Sequence, residues 1–260
     1  MAETPWGGVS LSGFEVNGAT TIRLFGFHHA GGSGTLFHGW QDRLPAGWEV
    51  QALDAPGHGS LMGRELIDEL DRLVGYFLDQ VRPGDDVPYA FFGHSMGGIV
   101  AYELARRLVG EGAVPPVWLG ISACRAPRSA PPVVLRHTLS EAQLRRHVRE
   151  LGGTPEQLLD DPRLWEIFGP IIRADLRLVE QWRPAHAEPL PVPLTVFRGR
   201  DDALATPGRV AAWEAESTAF RGLRTLDGDH FYFGADPAPL LRHLVEDVRS
   251  ACTALPHPAR

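Results

Sequence analysis

YAFFGHSMGGIVAYELARRL, residues 89–108, sets a short apolar run against a glycine-flanked serine and follows it with apolar residues at helical spacing. Tyr89 to Phe92 reads as a buried strand, and the spacing over residues 99–109 predicts an amphipathic helix. Between them, Gly93-His94-Ser95-Met96-Gly97 fits G-x-S-x-G, the strand-to-helix turn that lifts a serine hydroxyl above a sheet. The motif by itself arises readily in a chain with 29 glycines. Its flanks make it informative, and Gly93 and Gly97 remove side chains that would crowd so tight a turn. Ser95 is the candidate nucleophile. His94 is read as a turn residue rather than a base, because its neighbour Ser95 faces another way.

Outward from this turn the strand-and-helix pattern repeats. Residues 21–27 (TIRLFGF) read as a buried strand entering the turn cluster at residues 28–34. Residues 39–44 are short and helical at best. Residues 48–53 (WEVQAL) form a second strand, closed by Asp54-Ala55-Pro56-Gly57-His58-Gly59. Helical spacing runs from 64 to 81 and is stopped by Pro83-Gly84. Residues 117–122 (VWLGIS) supply a fourth strand. This alternation predicts an α/β fold with a mostly parallel central sheet flanked by helices.

From residue 125 to 189 no strand is legible. Ser140 is placed to cap a helix over EAQLRRHVREL, and Thr154-Pro155 and Asp161-Pro162 look like further helix starts. Roughly sixty residues exceed an ordinary crossover, so an inserted helical lid is expected over residues 125–189. Sheet order resumes with LTVFR at 194–198, then a helix near 208–216, a last strand at 223–226 and a helix over 238–250. One domain spanning residues 1–260 carries the pattern, with a frayed tail at 253–260.

Composition narrows the function. A net charge of −7 argues against a general binder of phosphate backbones, so no nucleic-acid partner is expected. Cys124 and Cys252 stand too far apart for a ligand cluster and read as reduced thiols. No run approaches the ~18 apolar residues of a membrane span, and residues 1–17 lack the order of a signal peptide. The expectation is a cytoplasmic protein without a membrane partner. His28, His29 and His58 lack metal-ligand spacing, so no metal is expected. Asp54 and His58 read as structural parts of their turn.

A serine hydroxyl needs a base to take its proton, and with this elbow the chain order is serine, acid, histidine. His230 follows the last strand, whereas His243 lies within a helix and His257 in the tail. The acid belongs after the strand at 194–198, where Asp201 and Asp202 are both candidates. Backbone N–H donors for an oxyanion are expected from Met96 and from the loop His29-Ala30-Gly31-Gly32. Trp165, Phe168, Ile171, Ile172 and Trp182 are candidates to line an acyl pocket under the lid.

Taken together, several motifs resemble the stand-alone (type II) thioesterases of polyketide and nonribosomal peptide synthesis, within the α/β-hydrolase superfamily. They are HAGGS at 29–33, GHSMGG at 93–98 with Ala101-Tyr102-Glu103 behind it, Ala126-Pro127, Arg173-Ala174-Asp175, Trp213 and Gly228-Asp229-His230-Phe231-Tyr232. The resemblance covers nearly the whole chain. It implies hydrolysis, through an acyl-enzyme, of stalled or aberrant acyl groups from the phosphopantetheine arms of acyl or peptidyl carrier proteins. It implies a monomer with no cofactor of its own. By position it carries over Ser95 as nucleophile, His230 as base and Asp202 as acid, the last placed by Gly199 before it and Thr206-Pro207 after it. The oxyanion donors map to Ala30 and Met96.

The chain departs from the family at three places. His28 stands where proline is usual, Pro56-Gly57-His58-Gly59 replaces the common PGR turn, and Ala203 follows the acid in place of proline. Two competing readings are an esterase of free small esters and a dead hydrolase fold used for binding; a complete Ser, Asp and His set in order argues against the second. Arg125, Arg128, Arg136, Arg145, Arg146 and Arg149, against Glu141 alone, raise the expectation of a basic patch beside the lid where a carrier could dock.

Overall fold

Alternation along one central strand decides how the sheet is covered. In β3 (Tyr89–His94), Phe91 packs edge-on against Phe25 and Phe27, while Phe92 turns to the other face and meets Phe37, Trp40, Phe197 and Phe233. Both rings are wholly buried. A strand with both faces covered belongs inside a parallel α/β sheet. The computed structural model describes residues 21–81, 87–129, 134–184 and 188–253.

The sheet has six parallel strands in the order β2-β1-β3-β4-β5-β6. Its strands are β1 (Ile22–Phe27), β2 (Trp48–Leu53), β3, β4 (Trp118–Ser122), β5 (Leu194–Gly199) and β6 (Phe220–Leu226). Helices α1 (Leu70–Val81) and α2 (Met96–Gly110) lie over the Phe91 face. The last helix, α7 (Ala238–Thr253), covers the Phe92 face through Leu240, Leu241, Leu244 and Val248. Chain order reverses beside β1, which pairs with β2 on one side and β3 on the other. Loops leaving the C-terminal ends of β1 and β3 therefore diverge and leave a crevice, the usual ligand position in such a sheet.

The insertion between β4 and β5 is helical, as expected: α3 (Glu141–Leu151), α4 (Glu156–Asp160) and α5 (Pro162–Gln181). Ser140 caps α3 in a reciprocal capping box with Gln143, and Asp161 caps α5 with Pro162 in its first turn. Leu144, Val148, Leu159, Trp165 and Ile172 form a small apolar core for these helices.

Three expectations shift. The helix expected over residues 64–81 begins only at Leu70. Leu66 nonetheless packs on Gly57 and Ile67 on the main core, so the spacing reported burial rather than helical hydrogen bonding. The helix near 208–216 is a single α turn, α6 (Pro207–Val210), continued as a 3₁₀ stretch to Glu216. Of the expected tail, Thr253 ends α7 and the remainder lies outside the described residues, as do Pro83 and Gly84.

The expected basic patch is largely engaged within the fold. Arg128 pairs with Glu216, Arg136 with Glu180 and Arg149 with Glu156 and Asp160. Arg125 lies over Trp182 and Arg145 over Trp165. Arg146 is exposed outside these contacts. Among the described residues no helix is long and apolar enough to cross a membrane.

The two-faced core makes a stability prediction. Phe92→Ala removes a ring buried among four aromatic neighbours and lowers unfolding stability by about 3–5 kcal/mol. Ile167→Ala, on the exposed side of α5, changes it by less than about 0.5 kcal/mol. Urea denaturation followed by circular dichroism compares the two.

Candidate active site

The site begins where β3 turns into α2. Ser95 sits at φ 56° and ψ −113°, a backbone conformation that costs a non-glycine residue about 1–3 kcal/mol. Gly93 and Gly97 make room for it. A Cβ on Gly93 would lie 2.0 Å from the Gly97 carbonyl oxygen, and one on Gly97 would lie 2.1 Å from that of Phe27. The turn is held from the next strand, where the Ser122 carbonyl accepts the Ser95 N–H at 2.8 Å. Ser95 is half-buried, at the N-terminal end of a helix whose dipole favours negative charge.

His230 and Asp202 come together from loops 28 residues apart in sequence. His230 Nδ1 lies 2.9 Å from Asp202 Oδ2, with both side chains buried. Because the carboxylate only accepts, Nδ1 carries the proton and a neutral ring keeps Nε2 as a proton acceptor. Burial pushes the Asp202 carboxyl upward in pKa. The hydrogen bond and charge of His230, with the N–H groups of Ala205 and Leu204, outweigh it and hold the group below its ordinary value. Asp202 is thus an anion in place. Asp201 is exposed at the turn, and its N–H bonds the Gly228 carbonyl at 2.9 Å. Close contact brings the two loops together, since a Cβ on Gly199 would lie 2.0 Å from the Asp229 carbonyl oxygen.

Ser95, His230 and Ala30 line one chamber, closed on the insertion side by Ile172, Leu176 and Val179 of α5. Ala123, the other described non-glycine residue with positive φ, lies in the same wall. Beside it, burial pushes the Cys124 thiol up to about 12, so that thiol stays protonated.

The apolar residues expected around an acyl pocket divide. Ile172 lines the chamber, whereas Trp165 is fixed by an Nε1–H bond to Glu141 and Trp182 by one to Glu103. Their indoles serve packing, and Trp182 stacks on Trp213. Two chamber residues, His147 of α3 and Phe231, had no recognisable sequence signal as a lining, because only the fold carries α3 over the sheet.

Several other histidines serve elsewhere. His94 is fully buried, with Nδ1 2.9 Å from Ser122 Oγ, which lies 2.7 Å from the Tyr232 hydroxyl. Burial, then the neighbouring His230 and His29, hold His94 well below its ordinary pKa, as suits a turn residue and not a base. Burial and the adjacent histidines likewise lower His29 to about 3. Asp54 is structural, accepting N–H bonds from Gly34 and Ser60, both at 2.7 Å. His58 faces Asp175 of α5, 2.8 Å away. His243 is on the outer side of α7, and His257 lies outside the described residues.

Comparison with known proteins identifies the family. A family model described as "Thioesterase domain" matches residues 22–251. The gramicidin S biosynthesis protein GrsT of Aneurinibacillus migulanus is 30% identical over 235 residues, covering 90% of this chain and 92% of that protein. Among solved structures, the RedJ thioesterase from the prodiginine pathway of Streptomyces coelicolor is 36% identical, with a TM-score of 0.80 over 88% of this chain and 86% of its own. The type II thioesterase BorB from the borrelidin biosynthetic cluster is 33% identical, with a TM-score of 0.79 over 88% of this chain and 94% of its own. The match runs from β1 into α7 and takes in Ser95, Asp202 and His230. With its α/β-hydrolase fold, this chain belongs to the thioesterase domain family and is an enzyme that hydrolyses thioesters.

Proposed function

We propose that the protein is a type II thioesterase of a polyketide or nonribosomal peptide assembly line, clearing stalled acyl groups from the phosphopantetheine arms of acyl or peptidyl carrier proteins. Ser95 is the nucleophile, His230 the general base and Asp202 the group that fixes and charges-balances the imidazole. The observation that carries this reading is the buried Asp202–His230 pair at 2.9 Å, opening into the same chamber as the strained Ser95.

In this mechanism His230 Nε2 takes the Ser95 proton as Oγ attacks the thioester carbonyl. The tetrahedral oxyanion is stabilised by the backbone N–H groups of Ala30 and Met96. Collapse of the intermediate breaks the carbon–sulfur bond, and the imidazolium returns its proton to the departing pantetheine thiolate. Water, deprotonated by the same nitrogen, then attacks the acyl-enzyme; the bond to Ser95 Oγ breaks, the imidazolium returns its proton to that oxygen, and the acid is released. Asp202 remains an anion throughout and stabilises the imidazolium that forms in each half.

The chamber supports a substrate with apolar stretches and scattered polar atoms. His29 Nδ1 and His147 Nε2 are buried in residues of its wall with no hydrogen-bond partner among the described residues. Such nitrogens are matched by carbonyl, amide or hydroxyl groups of an acyl-pantetheine chain. The helices α3 to α5 act as a lid over that chain. A cytoplasmic site of action accords with Cys124 and Cys252, both free and buried.

Three predictions test the reading. Ser95→Ala and His230→Ala each lower kcat by about 10⁴- to 10⁶-fold with the circular dichroism spectrum retained, since the three residues act as a unit. Asp202→Asn costs about 10⁴-fold, while Asp201→Asn leaves kcat near its starting value; the reverse ranking in steady-state assays moves the acid to Asp201. For substrate, the same acyl group is offered on a holo-carrier protein and as a small oxygen ester. A higher kcat/KM on the carrier is expected. Preference for the oxygen ester makes the protein an esterase instead.

A further inference from the structure

His28 and His58, both departures from the pattern this chain resembles, meet in the folded protein. Their rings lie 4.8 Å apart, between the loop after β1 and the turn after β2. Both are buried, as is Asp175, which reaches them from α5. All three are bonded to the backbone on either side of Ala30 or to one another.

The hydrogen bonds assign the protons. His28 Nε2 accepts the Ala55 N–H at 3.2 Å, so the neutral ring carries its proton on Nδ1 and donates it to the His29 carbonyl at 2.8 Å. Burial, then the facing His58, lower the pKa of His28, in keeping with a neutral ring. His58 is different. Its Nδ1 lies 3.1 Å from the Pro56 carbonyl oxygen and its Nε2 lies 2.8 Å from Asp175 Oδ2. A carbonyl and a carboxylate only accept, so both ring nitrogens are protonated and the ring is an imidazolium. Burial opposes that charge, yet the hydrogen bond and charge of Asp175, with the Pro56 and Ala55 carbonyls, raise the His58 pKa above 6.5. Asp175 Oδ2 also accepts the Gly31 N–H at 2.6 Å.

We propose that His28, His58 and Asp175 are positioning residues that hold the His29–Ala30–Gly31 backbone so that the Ala30 N–H stays aimed at the oxyanion. The proposal rests on the reading of Ala30 as an oxyanion donor. Its physical basis is the planar trans peptide, in which the His29 C=O and the Ala30 N–H point in opposite directions along one rigid unit. That carbonyl is gripped by His28 Nδ1–H and by the Gly32 N–H at 3.0 Å. Fixing the carbonyl fixes the direction of the N–H. On the other side of Ala30, Gly31 stands at φ 73° against α5, where a Cβ would lie 2.7 Å from Ile172 Cγ1. Asp175, one turn further along α5, holds the Gly31 N–H.

The His58 charge matters because Asp175 is buried. A lone carboxylate there would be poorly solvated and would lose its fixed geometry. The groups facing His58 are His28 from the β1 loop, Asp175 from α5 and the carbonyls of its own turn, with His29 acting at longer range and Asp54 acting on His28. Because the folded pKa of His58 is raised, the ion pair is complete below 6.5 and is lost as pH rises through the folded value.

The test compares wild type, Asp175→Asn, His58→Gln and His58→Arg on an acyl-N-acetylcysteamine thioester, with thermal melting as the check on folding. Asp175→Asn and His58→Gln are expected to lower kcat by about 10²-fold, the scale of one lost oxyanion donor, with KM nearly unchanged. The wild-type kcat profile falls on the basic side as His58 deprotonates, and both variants lack that limb. His58→Arg keeps a charge at every pH, so it recovers part of the loss and also lacks the limb. A folded Asp175→Asn enzyme with wild-type kcat, a loss confined to KM, or an unchanged basic limb in His58→Gln overturns the proposal. Ser95→Ala separates the two layers. If it stays active, the catalytic reading fails; if it is dead while Asp175→Asn is fully active, only the positioning role fails.

Discussion

Everything at this site depends on one unfavourable backbone conformation, Ser95 at φ 56° and ψ −113°. The turn persists because its surroundings leave no alternative. Gly97 presses against the Phe27 carbonyl of β1, Gly93 against Gly97, and the Ser95 N–H is held by Ser122 of β4. Three adjacent parallel strands therefore define the position of one hydroxyl. Strain of about 1–3 kcal/mol is small against the burial of the aromatic layers on both faces of β3. The sheet can hold such a turn, and an isolated strand and helix could not.

Electrostatics is divided with equal economy of parts. Around Ser95 the histidines are kept neutral by burial and by one another, as His94 and His29 show. Two of the buried histidines face carboxylates instead. His230 has Asp202, and His58 has Asp175. The first pair faces the chamber and is suited to moving a proton. The second is enclosed, with both ring nitrogens occupied, and is suited to holding shape. The same chemical pairing thus does different work according to whether one nitrogen is left open.

Much of this was legible before any coordinates. All six strands were readable as apolar runs bounded by turn residues, three of them (β3, β5 and β6) only as shorter versions of themselves. Ser140, Asp161 and Pro162 announced helix starts because capping chemistry is local. The start of α1 was misread, since Leu66 and Ile67 are half-buried at helical spacing without being helical. Trp165 and Trp182 were candidates for either pocket lining or packing, because an indole that packs and one that meets substrate look alike in a sequence; their bonds to Glu141 and Glu103 mark them as packing.

The amino-acid sequence alone determined the elbow, the order of serine, acid and histidine, and the parallel α/β class. Each of these rests on contacts between near neighbours or on periodicity that a single strand or helix imposes. The residues alone left Asp201 and Asp202 both open and the family resemblance favoured Asp202; the tertiary structure brings Asp202 to His230, in a turn whose path is set by Gly199 and Gly228. Only it brought His28, His58 and Asp175 together from three separate elements. Their positions span 147 residues between His28 and Asp175. No local rule couples residues so far apart; sheet order and the seating of α5 do.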